Sequence, residues 1–148
     1  MSRHFLTLLA VSLTAVAASI AKSGEEWQTD YRAALEQARV EHKQVLLNFT
    51  GSDWCRWCMR FKEEVFDQPE FIQFAKKRLV LVKVDFPRSR SIPKRVLEQN
   101  ERLRKEFCVR VFPTLVLLDY NGKKLKERIG YMEGGVARTR QWICALQL

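Results

Sequence analysis

Three short apolar runs constrain this chain most: Gln44 to Phe49 (QVLLNF), Arg78 to Phe86 (RLVLVKVDF) and Val111 to Asp119 (VFPTLVLLD). Runs of that length, rich in β-branched residues, suit buried strands. Around them apolar residues recur at helical spacing. Trp27, Tyr31, Leu35 and Ala38, with Ala34 beside them, predict a first helix from Trp27 to His42. Cys58, Phe61 and Val65 share one side of a second helix from Cys55 to Phe66, and a short helical piece begins at Pro69. Val96, Leu97, Leu103 and Phe107 mark a third helix that starts at Pro93, where proline suits the first turn. A last helix runs from Gly135 to Leu146, and Asn121-Gly122 predicts a tight hairpin turn into the strand KKLKERIG. Such alternation predicts an α/β sandwich: a central mixed β-sheet with helices on both faces and an antiparallel hairpin at one edge.

The first 21 residues stand outside this pattern. Arg3 precedes an uncharged, mainly apolar run from Phe5 to Ala21, the layout of a secretory signal peptide. Small residues at Ser19 and Ala21 favour cleavage after Ala21, and Ala15-Val16-Ala17 offers a second site. The run is shorter than the roughly 20 residues of a spanning helix and is diluted by Thr7, Ser12, Thr14 and Ser19, so removal is expected rather than anchoring. Residues 22–148 then form one domain of ordinary size with a single core, exported to the bacterial periplasm.

The formal charge of +9 is unevenly spread, with twelve Lys or Arg against four acids between Lys76 and Arg110. A solvated helix face and a charged loop account for most of this, and the same excess can steer acidic partners. Nucleic acid is not expected as a partner, because no aromatic residues interleave the basic ones as a stacking platform requires.

Within TGSDWCRWCMRF, Cys55 and Cys58 stand three apart. With four cysteines in the chain such spacing arises by accident about one time in ten, so its context matters more. A cysteine opening a helix meets unsatisfied N–H groups and the positive dipole end, which favour a thiolate by about 0.3–1 kcal/mol. One pKa unit is about 1.36 kcal/mol, so the dipole alone does not make a reactive thiol. Arg56 next door and a hydrogen bond from Cys58 lower the thiol of Cys55 further. Cys55, at the exposed helix start, is expected to attack, and Cys58, one turn in beside Phe61, to resolve the mixed disulfide. Trp54 and Trp57 either flank the reactive sulfur with apolar surface or cover the core.

Other chemistries fit less well. One CxxC supplies two ligands where structural zinc needs four, and no second CxxC or HxxxH occurs. Met59 holds the place of the histidine in CxxCH, against covalent haem. No metal and no cofactor are expected; copper handling by Cys55, Cys58 and Met59 is one alternative, and a non-catalytic binding module is another. Cys108 and Cys144 are expected as two buried free thiols on opposite faces of the sheet, awkward to bridge, with a disulfide between them as the alternative that an oxidising compartment allows, and His42 as a surface residue.

The stretches FTGSDWCRWC and VFPTLVLLDYNGK resemble the thioredoxin superfamily, specifically exported thioredoxin-like proteins with a W-C-x-x-C site, over nearly all of residues 22–148. The resemblance implies a thioredoxin-like three-layer sandwich and a thiol-disulfide oxidoreductase acting on protein disulfides or dithiols outside the cytoplasm. It also implies a cis Phe112–Pro113 bond against the CxxC, with Phe112 and Thr114 offering backbone to an extended substrate. The implied partners are protein thiols and disulfides; whether a membrane protein recycles the pair is left open as one option, and the protein is expected to be a monomer.

Two departures matter. Asn48 stands where typical thioredoxins carry a buried acid, and an amide cannot relay a proton. Arg56-Trp57 replaces Gly-Pro. A cation gained and a buried anion lost both stabilise the reduced thiolate, so the pair is expected to be more oxidising than thioredoxin at about −270 mV. The same two thiols serve an oxidant, a reductant or an isomerase; partners set the direction.

Overall fold

The computed structural model describes residues 27–145, so the expected signal peptide, residues 1–21, and the expected helix end at Leu146 lie outside the described residues. Four strands, β1 (Gln44–Thr50), β2 (Leu79–Asp85), β3 (Thr114–Leu118) and β4 (Lys124–Ile129), form one sheet in the order β2-β1-β3-β4. β1 and β2 run parallel, while β3 is antiparallel to both β1 and β4.

Side chains alternate across a strand, and here both faces are covered, which is why the central strands read as continuous apolar runs. Val45, Leu47 and Phe49 of β1 join Val80, Val82 and Val84 of β2 under α1 (Tyr31–Glu41) and α4 (Lys94–Glu106), with Ala34, Ala38 and Leu103 filling the layer. Leu46, Leu81, Leu115 and Leu117 face the other way, onto α2 (Arg56–Phe61), α3 (Pro69–Arg78) and α5 (Gly135–Cys144) through Phe61, Phe71 and Ile143. The result is the expected three-layer α/β sandwich. β4, at the edge, is mostly exposed and carries Lys124, Lys126, Glu127 and Arg128, charges that discourage pairing with another chain.

Local chemistry moved several boundaries. α1 begins at Tyr31 rather than Trp27 because Asp30 caps it, its carboxylate accepting the Ala33 N–H at 3.1 Å. Trp27 instead packs edge-on to Phe66, 4.9 Å between centroids, and Gln28 bridges β2 through hydrogen bonds with Leu81 and Lys83. The helix expected from Cys55 to Phe66 changes pitch: after Phe61 it continues as a π-helical turn, Lys62–Phe66, a feature frequent near functional sites. The turn after β3 is wider than two residues. Asp119 organises it by accepting the N–H groups of Asn121 and Lys123, each at 2.9 Å, and Gly122 takes the positive φ of 87° that the turn requires.

Cys108 and Cys144 are both free and on opposite layers, but exposed rather than buried. Cys144 follows buried Ile143 by one helical position, about 100° around the axis, which turns it outward. Cys108 sits in the left-handed region at φ 54°, just beyond α4, between buried Phe107 and Val109.

Candidate active site

β1 ends at Thr50, and the chain turns through Gly51 to Trp54 before α2. The Cys55 N–H donates to the Gly51 carbonyl at 2.9 Å, closing that turn. Gly51 is required here because a Cβ would lie inside the Trp54 indole, 2.6 Å from its Nε1. Cys55 is itself the N-cap of α2, its Sγ accepting the Cys58 N–H at 3.2 Å, and the two cysteines are joined as a disulfide with Cα atoms 5.2 Å apart. The expected difference in exposure between them is not present: Cys55 is 6% and Cys58 5% exposed. Their asymmetry lies in the cap, since the helix N–H points at the first sulfur. Arg56 occupies the first helical position, exposed to solvent.

Two carboxylates hold the turn against the segment after β2. Buried Asp85 accepts the Ser52 N–H at 3.0 Å and the Ser52 hydroxyl at 2.6 Å, and pairs with Arg90 at 2.5 Å. Asp53 accepts the N–H of Arg88 at 2.9 Å, the N–H of Ser89 at 2.7 Å and the Ser89 hydroxyl. The Trp54 indole N–H donates to the Phe86 carbonyl at 2.8 Å, and the ring meets Phe112 edge-on at 5.9 Å. Phe112 in turn stacks on Phe86 at 5.2 Å. The Ser89 hydroxyl, then the Arg88 N–H, lower the Asp53 carboxyl from its ordinary 3.8 to about 2. Because the folded-state value lies below the unfolded one, this group adds stability above about pH 4, and the contribution fades as pH falls toward 2. Asp53→Asn is accordingly expected to lose part of the acid dependence of unfolding between about pH 4 and 2 while leaving its slope near pH 7 unchanged, as urea midpoints across that range will show.

Trp57, from the first turn of α2, joins Val111, Phe112, Pro113, Gly130 and Tyr131 in walling a cleft of about 300 Å³. The Phe112–Pro113 bond is cis, as expected. Trp57 is 48% exposed and tilted against Tyr131 at 5.3 Å, and the Arg60 guanidinium lies over both rings. Glu64, on the π-helical turn, accepts from the Tyr131 hydroxyl and from Arg60 Nε; these bonds hold its carboxyl below the usual range. Thr114 begins β3, buried, with its hydroxyl donating to the Val111 carbonyl at 2.9 Å. Trp57, Phe112 and Pro113 thus wall one cleft, Trp54 beside Cys55 in the chain meets Phe112, and Thr114 follows at the start of β3. Sequence reasoning passed over Asp53, Asp85, Phe86 and Tyr131, which come from three separate segments and carry no spacing signal.

A family model for a thioredoxin-like domain matches residues 31–142. Disulfide bond reductase DsbH of Chlamydia pneumoniae is 39% identical over 118 residues, covering 80% of this chain and 70% of the relative. The chain belongs to the thioredoxin-like family. Thioredoxin-related protein DsbJ of Chlamydia pneumoniae is 30% identical over 125 residues, 83% of this chain but only 36% of DsbJ. A solved DsbH oxidoreductase structure superposes with a TM-score of 0.76 at 33% identity, covering 96% of this chain and 92% of the other. With its Cys55–Cys58 pair, this thioredoxin-like protein is a thiol-disulfide oxidoreductase.

Its departure from typical thioredoxins is visible in the core. Asn48 shares the face of Leu46, beneath the layer that holds α2; it is 7% exposed, and its side-chain carbonyl has no hydrogen-bond partner among the described residues. A buried acceptor costs about 1–3 kcal/mol unless water satisfies it, and unlike a carboxylate the amide brings no charge to this position. Among the described residues no group of three or more His, Cys, Asp or Glu side chains is placed to hold a metal ion.

Proposed function

We propose that this protein is an exported reductant of protein disulfides, with Cys55 as the attacking thiolate and Cys58 as the resolving thiol. The observation that carries the reading is the cap: Cys55 Sγ already accepts a helix N–H, the contact that also stabilises a thiolate once the disulfide opens. Arg56 adds positive charge beside that sulfur. Trp54 and Trp57 flank it, and the backbone of Phe112 and Pro113, which line the cleft, continues into Thr114 as the seat for an extended client segment. Export follows from residues 1–21 read as a signal peptide cleaved after Ala21, leaving a thioredoxin-like domain of residues 22–148 that acts as a monomer in the periplasm. No helix among the described residues is long and apolar enough to cross a membrane. A membrane redox partner returns electrons to the oxidised pair.

Direction is supported by the relative called a disulfide bond reductase, 39% identical. The pair need not be as reducing as thioredoxin for this task, because strained or exposed client disulfides have more oxidising potentials. Equilibration with glutathione is expected to place it above about −270 mV, since Asn48 carries no charge and Arg56 favours the thiolate. A value at or below that figure contradicts the electrostatic account. Alkylation in intact cells is expected to find Cys55 and Cys58 mainly reduced; a mainly oxidised pair makes the protein a disulfide donor instead.

A further inference from the structure

The charges around the disulfide are asymmetric in their partners. Asp53 is taken by the backbone of Arg88 and Ser89, Asp85 by Ser52 and Arg90, and Glu64 by Tyr131 and Arg60. Glu133, two residues beyond Tyr131, acts on Arg60. Two cations of this region are not so engaged: among the described residues neither Arg56, which follows Cys55 in the chain, nor Arg88 makes an ion pair, and both are exposed.

Arg88 is also held in place. Its guanidinium carbon lies 3.7 Å from the centroid of the Trp54 ring, its backbone N–H is fixed on Asp53, and Trp54 is itself pinned to the Phe86 carbonyl and Phe112. A guanidinium stacked on an aromatic face keeps its N–H edge free for a planar, bidentate acceptor such as a carboxylate. A side chain already ordered loses less entropy on binding. Trp54 precedes Cys55 and Arg56 follows it, so one guanidinium rests on the residue before the cysteine and the other belongs to the residue after it.

We propose that Arg88, stacked on Trp54, together with Arg56 receives carboxylates of the client, so that this oxidoreductase favours disulfides flanked by acidic residues. The inference rests on the proposed reductant reading and names its substrate class. The chemistry is unchanged: two electrons pass from the Cys55–Cys58 dithiol to the client cystine, leaving two client thiols and the enzyme disulfide.

The test uses three cystine peptides of one design whose flanking residues are Glu, Gln or Lys, reduced by the pre-reduced protein. The Glu peptide is expected to react about tenfold faster than the Lys peptide at low ionic strength, with the Gln peptide between them. That ratio should approach one in about 0.5 M salt, where screening acts within a few ångströms. Arg88→Glu should bring the low-salt ratio to about one or below, and Arg88→Lys, which keeps the charge but not the stacked fork, should leave it intermediate. Rates are compared as ratios within each variant, so a general loss of activity cancels. Equal rates on the three peptides, or a wild-type ratio surviving in Arg88→Glu, overturn the inference and leave the oxidoreductase reading standing. No reduction of any peptide overturns that reading itself.

Discussion

Cys55→Ser is expected to lose disulfide reduction by more than about a thousandfold, whereas Cys58→Ser accumulates a mixed disulfide with its client. The hydroxyl of serine does not ionise near neutral pH, so no nucleophile remains at the cap of α2. In Cys58→Ser the first step proceeds, and the sulfur that would release the product is missing. The backbone N–H of residue 58 still points at Cys55 Sγ, so the thiolate keeps its cap in this variant. Insulin reduction with dithiothreitol measures the first effect, and non-reducing gels of Cys58→Ser after incubation with oxidised client measure the second. Exchanged outcomes, with Cys55→Ser forming the trapped complex, would reverse the two roles.

Asp85→Ala is expected to lower stability by about 2–3 kcal/mol, a fall of roughly 10 °C in Tm, and to slow turnover as well. The carboxylate is 3% exposed and accepts both the backbone and the hydroxyl of Ser52. Its removal leaves the Ser52 N–H without that acceptor in a partly buried turn. The Arg90 pair contributes less, since Arg90 is half in solvent and such pairs are worth about 0–1 kcal/mol. Arg90→Gln should therefore destabilise by under about 1 kcal/mol, and comparing the two variants by urea unfolding separates the hydrogen bonds from the ion pair. Because the same turn positions Trp54 and the start of α2, the loss of Asp85 should also appear as a change in tryptophan fluorescence. An Asp85→Ala protein as stable as the parent would show that the turn is held by Asp53 and the Trp54–Phe86 contact instead.

Much of this molecule was written in its local pattern. The apolar runs around Leu46, Leu81 and Leu117 specified strands covered on both sides, because only a strand buried on two faces is apolar at successive positions. The CxxC at the start of α2 and the proline before β3 marked the two halves of the site, since each needs a residue type that few others can replace. The errors were equally physical. A capping carboxylate at Asp30 shortened α1, and Asp119 widened the hairpin, because side-chain hydrogen bonds to nearby backbone N–H groups prevailed over periodicity. Both cysteines of the disulfide proved equally covered, and the two remote cysteines proved exposed, because burial depends on which face a neighbouring element covers. The clamp of Asp53 on Arg88 and of Asp85 on Ser52, the stack of Arg88 on Trp54, and the wall formed by Trp57 and Tyr131 join segments about 30 to 75 residues apart. Contacts of that separation leave no periodic trace in the chain; they arise only when the sheet order β2-β1-β3-β4 brings the strand ends together.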